Sequence, residues 1–274
     1  MKINKLNVIS IILLFIATIS WGSSFLILKE TISLVSTFYV LAIRFTLSAI
    51  LLAIIFHKRL KNIKLKNVIS GVVLGLILTF AYDIQTFGLA ETSPARNAFL
   101  TGFYCILTPF LAWLIIRKKP TRYNLLAAFM CIIGIGLVVF SGSSDNGGMI
   151  IGDLLTLFAS IFYALQIIFI DKYQDEGQDD IQLLIIELLT VGVINIVLSL
   201  VFDLKNGINV YSLNLEQFLK IMYLTLVCTL FAQFAMIFGQ RHLSANQASL
   251  ILSLESVFGA LFSVIFGQEN LTIG

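Results

Sequence analysis

Charge is what this chain has least of. Its 274 residues include 18 Lys and Arg and 15 Asp and Glu, 12% together, while 58% are hydrophobic and the mean hydropathy is +0.98. So few polar groups cannot clothe a water-soluble domain, and a net charge of +3 offers no field for a nucleic-acid partner. Histidine is limited to His57 and His242, both at ends of apolar runs beside basic residues, which excludes a histidine metal site or a histidine catalyst within a span. Cys105, Cys131 and Cys228 all fall inside apolar stretches, where a thiol acts as a small packing residue and no disulfide or metal framework emerges. A Gly-rich phosphate loop, a Gly-x-Ser-x-Gly elbow and a catalytic carboxylate pair are also missing, so no cofactor is expected and an intramembrane enzyme is the weaker reading.

What the chain has in abundance is apolar runs of membrane length. After Lys2 and Lys5, Leu6 to Leu28 is too long for the core of a signal peptide and lacks a cleavage site. Further runs of about 18 to 23 residues lie near 37–56, 68–89, 95–116, 123–140, 149–170, 181–202, 218–239 and 245–267. The fold class expected is therefore an all-α integral membrane protein with nine transmembrane helices in the lipid bilayer. Ser93 with Pro94, and Pro120 with Thr121, mark helix starts; Pro109 falls mid-helix and is expected to kink it. Gly71 and Gly75 form a G-x-x-x-G that favours close helix packing over a dimer seam.

One stretch is written twice. Phe80 to Thr121 returns as Phe231 to Thr272, with Phe80/Phe231, Ala81/Ala232, Phe87/Phe238, Gly88/Gly239, Ser93/Ser244 and Thr121/Thr272 in register. In both copies an apolar helix ends in Phe-Gly, a polar turn closes on Ser, and a second apolar helix follows, carrying small residues on one face. Those are Ala98, Thr101, Gly102, Cys105, Thr108 and Ala112 in the first copy, and Ser249, Ser253, Ser256, Gly259 and Ser263, with Leu252 the exception, in the second.

The copies enter the membrane in opposite senses. With the N-terminus in the cytoplasm, the alternation of spans puts Lys58, Arg59, Lys61, Lys64, Lys66, Arg117, Lys118, Lys119, Arg122, Lys172 and Arg241 inside, and leaves Lys29, Arg96, Lys205 and Lys220 outside. An odd number of helices per unit then makes two inverted repeats, 1–142 and 149–274. The mate of the helix near 123–140 would follow Gly274, so nine helices are present of an expected ten.

Ionisable groups inside the bilayer are costly enough to be functional candidates by default. Arg44, Asp83, Glu187 and Glu255 make up the set with a possible role in charge coupling. Arg44, Asp83 and Glu187 each lie about 9–10 Å from a helix end, within or near snorkelling reach. Glu255, about 15 Å along its helix, lies near the midplane and has no such escape. Its repeat mate is Tyr104, and Tyr82 is matched by Gln233; the axis of an inverted repeat passes between such mates at mid-membrane. Trp21 and Tyr163 occupy matching places in the first and sixth helices, with Gln85 and Gln166 as amide partners. Together Trp21, Tyr82, Gln85, Tyr104, Tyr163, Gln166, Gln233 and Glu255 are the expected substrate-binding residues, suited to a small solute with a cationic or zwitterionic head.

In order along the chain, Trp21-Gly22-Ser23-Ser24-Phe25 with Lys29, Arg44-Phe45, and Thr92-Ser93-Pro94-Ala95 leading to Phe99 through Tyr104 and Thr108-Pro109 form a pattern. It continues with Gly152-Asp153-Leu154-Leu155, Tyr163-Ala164, Ser244-Ala245 leading to Ser253 through Phe258, and Glu269. This resembles the EamA branch of the drug/metabolite transporter superfamily over nearly the whole chain, departing from it where Ser256 replaces the usual Pro and where the tenth helix is missing. The resemblance implies two inverted five-helix repeats around a central cavity, alternating access, and export of small metabolites, often amino acids, across the cell membrane. Efflux of lipophilic cationic drugs is the alternative; a receptor or structural membrane protein is a third. Without an ATP motif, energy comes from an ion gradient, protons included, or from the solute's own gradient.

Topology reporters test the orientation: fusions after Lys66 and Arg122 report the cytoplasm and one after Asn146 the exterior. A cytoplasmic signal at Asn146 would overturn the inverted repeat.

Overall fold

The computed structural model describes residues 5–124, 126, 128–130, 133, 147–203 and 213–266. Outside them lie Cys131, Lys205, Glu269, Thr272 and most of the span expected near 123–140. Helices run over Lys5–Ile32 (α1), Thr37–Ile55 (α2), Leu65–Glu91 (α3), Pro94–Thr101 (α4), Tyr104–Ile116 (α5), Gly147–Asp175 (α6), Asp180–Leu198 (α7), Leu215–Thr225 (α8), Ala232–Gln240 (α9), Ala245–Leu252 (α10) and Glu255–Ile265 (α11). Wider π-helical turns, Ser199–Asp203 and Leu226–Phe231, extend α7 and join α8 to α9. Read as continuous rods, these make eight helices long and apolar enough to cross a membrane among the described residues, at the expected places.

Polarity is arranged inside out. Leu114, Ile54, Phe80, Ile150 and Val257 stand exposed on the outer surface, while Arg44, Asn97, Gln166, Glu187, Asn195 and Gln233 are buried. Lipid solvates the first set; the second must find partners within the bundle. Small residues bring the helices close enough. A Cβ on Gly71 would fall 2.7 Å from the Ile186 Cβ, and one on Gly75 would fall 2.8 Å from the Glu187 carbonyl oxygen, so the G-x-x-x-G face seats α3 on α7 within the chain.

The doubled stretch folds as two interrupted rods. α4 gives way to α5 at Gly102-Phe103, and α10 to α11 at Ser253-Leu254, the matching positions. Each break is the same tightened turn: Phe103 N–H donates to Leu100 at 3.1 Å and Cys105 N–H to Gly102 at 3.0 Å, and Leu254 to Ile251 and Ser256 to Ser253, both at 3.1 Å. Ser93 and Ser244 each cap the first half-helix, accepting from the N–H three residues on. Pro109 does not set the break, which precedes it; Ala260 stands at its matching place and the second rod breaks alike. The halves pack crosswise, α4 on α11 and α10 on α5. Ser256, where the resemblance called for Pro, donates its hydroxyl to the Ala98 carbonyl at 2.9 Å.

Ion pairs record which segments share an end of the bundle. At one end the acidic 171–180 segment meets its cations: Lys118 with Asp171 at 2.8 Å and Asp175 at 2.9 Å, Lys66 with Glu176 at 2.9 Å, Arg59 with Asp179 at 3.1 Å, and Arg241 with Asp180 at 2.5 Å. The hydrogen bond from Lys66 holds the Glu176 carboxyl below the usual carboxylate range. At the other end Arg96 pairs with Asp153, Lys220 with Glu30 at 2.9 Å, and Lys29 Nζ donates to the carbonyls of Leu89 and Ala90 at 2.7 Å and Thr92 at 3.0 Å. Lys29 thereby closes the C-terminus of α3, where carbonyls lack helical partners.

A Cβ on Gly259 would collide with the Ala98 Cβ at the α4–α11 crossing. Gly259→Val is expected to cost about 1–3 kcal/mol and to lower the thermal midpoint in detergent, with Ala98→Gly restoring part of it. Unchanged melting of the single variant would contradict this packing.

Candidate functional site

Trp21 of α1, Tyr82 and Gln85 of α3, Tyr104 of α5, Tyr163 and Gln166 of α6, Gln233 of α9 and Glu255 of α11 all line one cavity in the middle of the bundle. The space among them is narrow: about 40 Å³ is open to the centre of a water-sized sphere, room for roughly three waters.

The two matched pairs meet. The Tyr104 side chain lies within electrostatic reach of the Glu255 carboxyl, and the Tyr82 side chain approaches Gln233. Tyr104 and Glu255 are each the first helical residue after an interruption, so the breaks in both rods deliver the pair to the cavity. Around them the amides are oriented: Tyr163 donates to Gln85 Oε1 at 2.6 Å and Gln85 Nε2 to Thr101 Oγ1 at 2.8 Å. Gln166 Nε2 donates to Glu187 Oε1 at 2.6 Å and reaches Gln233 Oε1 at 3.5 Å. Trp21 Nε1 donates to the Cys228 carbonyl at 2.9 Å, within the π-helical turn. The Tyr82 ring stands edge-to-face with Tyr163, centroids 5.6 Å apart.

Of the four ionisable candidates only Glu255 lines the cavity. Glu187 is fully buried behind Gln166, with Oε2 unpartnered. Arg44, 1% exposed, lies behind Tyr82 with its Cζ 5.5 Å from that ring. Neither side chain snorkels to a helix end. Asp83 is half-buried and accepts from Asn195 Nδ2 at 3.1 Å, a tie between α3 and α7.

The lining also contains Ser24 and Phe25, which the sequence marks only as part of the family pattern, and Leu28, Ile167 and Met236, which it does not single out. Phe25 and Leu28 follow Trp21 at helical spacing, a face that apolar residues in an apolar run do not advertise. Thr101 and Leu252 lie on the small-residue stripes, and Leu252 is the bulky exception to its stripe. The cavity thus offers rings, three amides and one carboxyl, which is equipment for holding an amphipathic solute. Among the described residues no group of three His, Cys, Asp or Glu could hold a metal ion.

The profile of the EamA-like transporter family matches residues 8–140 and again 150–274. This chain belongs to the EamA-like transporter family. Membership in the drug/metabolite transporter superfamily follows, and a multi-pass membrane protein with it. An uncharacterized transporter of Archaeoglobus fulgidus is 25% identical over 94% of this chain and 78% of its own length. The uncharacterized transporter YyaM of Bacillus subtilis is 33% identical over 53% of this chain and half, 50%, of its own length. A solved crystal structure superposes with a TM-score of 0.74 over 96% of this chain and 90% of the other, at 12% identity, a likeness of fold alone.

Trp21 is 9% exposed and Trp113, facing outward, 53%. In a Trp113→Phe protein the emission comes from Trp21, and aqueous acrylamide is expected to quench it weakly in the closed form, more strongly once the cavity opens. Quenching like that of a surface indole throughout would contradict the enclosed site.

Proposed function

We propose that this EamA-like transporter is a secondary exporter of a small organic metabolite, an amino acid or a derivative, working by alternating access. The observation carrying the proposal is the convergence of Tyr104 with Glu255 and of Tyr82 with Gln233 on one narrow central cavity. In this reading residues 1–142 and 149–274 are two units of opposite sense that rock about the cavity, whose lining binds the solute. The shared break at matching positions supports it, because each half-rod can pivot where its helical bonding is interrupted. The clustering of Lys and Arg at the end that holds Lys66 and Lys118 supports a cytoplasmic N-terminus in the cell membrane.

Glu255 is the coupling group in this account. A carboxylate held amid apolar and aromatic walls is costly to leave ionised without a cation, so it trades a proton for the cationic head of the solute. The same cavity favours a second reading, efflux of lipophilic cations, because rings and one carboxylate also suit a quaternary ammonium. Competition between amino acids and quaternary ammonium compounds for the purified protein separates the two.

Glu255→Gln preserves shape and hydrogen bonding but removes the titrating group. Proton-driven efflux in proteoliposomes is expected to fall at least about tenfold, with its dependence on pH lost between about pH 6 and pH 8, while Glu255→Asp keeps part of it. Efflux at the wild-type rate from the Gln variant, with unchanged pH dependence, would sink the proposal.

A further inference from the structure

Arg44 is buried to 1% exposure near the cavity, yet its guanidinium is mostly unbonded. Of its five N–H donors one is engaged: Nε donates to Thr229 Oγ1 at 3.0 Å. Thr229 sits in the π-helical turn and spends its own hydroxyl proton on the Leu224 carbonyl, five residues back, at 2.8 Å, which turns its oxygen toward the arginine. Nη1 and Nη2 meet no acceptor among the described residues. The Phe45 and Tyr82 rings approach the guanidinium carbon at 5.8 and 5.5 Å, but ring contacts leave the N–H edges unmatched.

A fork anchored by Nε with both terminal nitrogens unmatched suits a planar, bidentate acceptor, and a carboxylate is that acceptor. The chain's own acids do not supply it here: among the described residues no carboxylate stands within hydrogen-bond distance of Nη1 or Nη2, with Asp83 on Asn195 and Glu187 on Gln166. Meanwhile the Tyr82 and Tyr163 hydroxyls lie within electrostatic reach of both Arg44 and Glu255. Those two aromatic residues therefore stand between a buried cation and a buried acid.

We infer that Arg44 is the carboxylate-recognition residue of the central cavity, reached when the Tyr82 ring moves aside, and that the solute is a zwitterion whose ammonium faces Glu255. The inference rests on the cavity being the transport site. The apolar part of the solute then packs on Trp21, Phe25 and Met236, which line the same space.

The test uses the full-length protein reconstituted in vesicles of phosphatidylethanolamine and phosphatidylglycerol. Radiolabelled solutes are offered in pairs, each common amino acid beside the amine left when its carboxylate is removed, and counterflow is measured. At least one amino acid is expected to exchange at least about tenfold faster than its amine. Arg44→Lys, which keeps the charge and loses the fork, lowers that exchange by about tenfold or more, and Arg44→Gln brings acid and amine to parity. Amines exchanging as well as their amino acids in the wild-type protein would overturn the inference, as would exchange of no amino acid at all, or an Arg44→Lys protein that behaves like wild type. A Tyr104→Trp plug keeps the two claims apart. Amine exchange that the plug abolishes leaves the cavity reading standing while Arg44 loses its role; exchange indifferent to the plug removes the cavity reading itself.

Discussion

Hydrocarbon offers a polar side chain no hydrogen bond, and that constraint shapes this protein more than any single contact. Each amide, hydroxyl and charge placed in a span must be answered from within the bundle or remain a standing cost. The answer here is a connected interior: Tyr163 to Gln85 to Thr101 on one side, Glu187 to Gln166 to Gln233 on the other, with Tyr104 and Glu255 between the interrupted rods. The outer surface is left to Leu, Ile and Phe, which lipid solvates. Polar groups consequently gather where the two rods break.

In the proposed mechanism, interruption is what lets a packed bundle take two arrangements. A continuous helix from Pro94 to Ile116 would be a stiff strut. The tightened turn at Gly102-Phe103, and its counterpart at Ser253-Leu254, let the first half of each rod shift against the second while Ser93 and Ser244 hold the starts. Crosswise packing of α4 on α11 and α10 on α5 couples the two breaks, since a shift in one rod presses on the lower half of the other. Arg96 with Asp153, and Lys29 on the end of α3, gather α1, α3, α4 and α6 at the opposite end from the acidic 171–180 segment. The Arg96–Asp153 pair is largely buried, so parting it costs more than parting an exposed pair such as Lys66 with Glu176.

Much of this was legible in the sequence for a plain reason: polar and aromatic residues inside apolar runs are few, and a duplicated stretch shows which of them are mates. Gln85, Gln166 and Gln233 stood out because amides are rare in apolar runs, and Trp21 as one of only two tryptophans; all four face the cavity. Eight of the expected spans appear for the same reason, since run length alone sets them. Less visible were features that depend on the main chain. The π-helical turn that presents the Cys228 carbonyl to Trp21 and Thr229 to Arg44 has no signature in residue type, being built from Leu, Val, Cys and Thr. Pro109 lies inside α5, beyond the break at Gly102-Phe103, which residue type did not announce; Gly102 and Ala98 there approach Ser256 closely. Phe25, Leu28 and Met236 line the cavity without differing from dozens of lipid-facing neighbours.

The central claim is that the space between Tyr104 and Gln233 opens to each side of the membrane in turn. Single cysteines at these two positions, in a chain whose native cysteines are replaced by serine or alanine, can be challenged with a membrane-impermeant thiol reagent from inside and from outside oriented vesicles. Both positions are expected to be labelled from both sides, slowly, and to be protected by the amino acid that the proposed function assigns as solute. Labelling from neither side, or labelling that no solute affects, would contradict the account and return the doubled rods to the role of packing units.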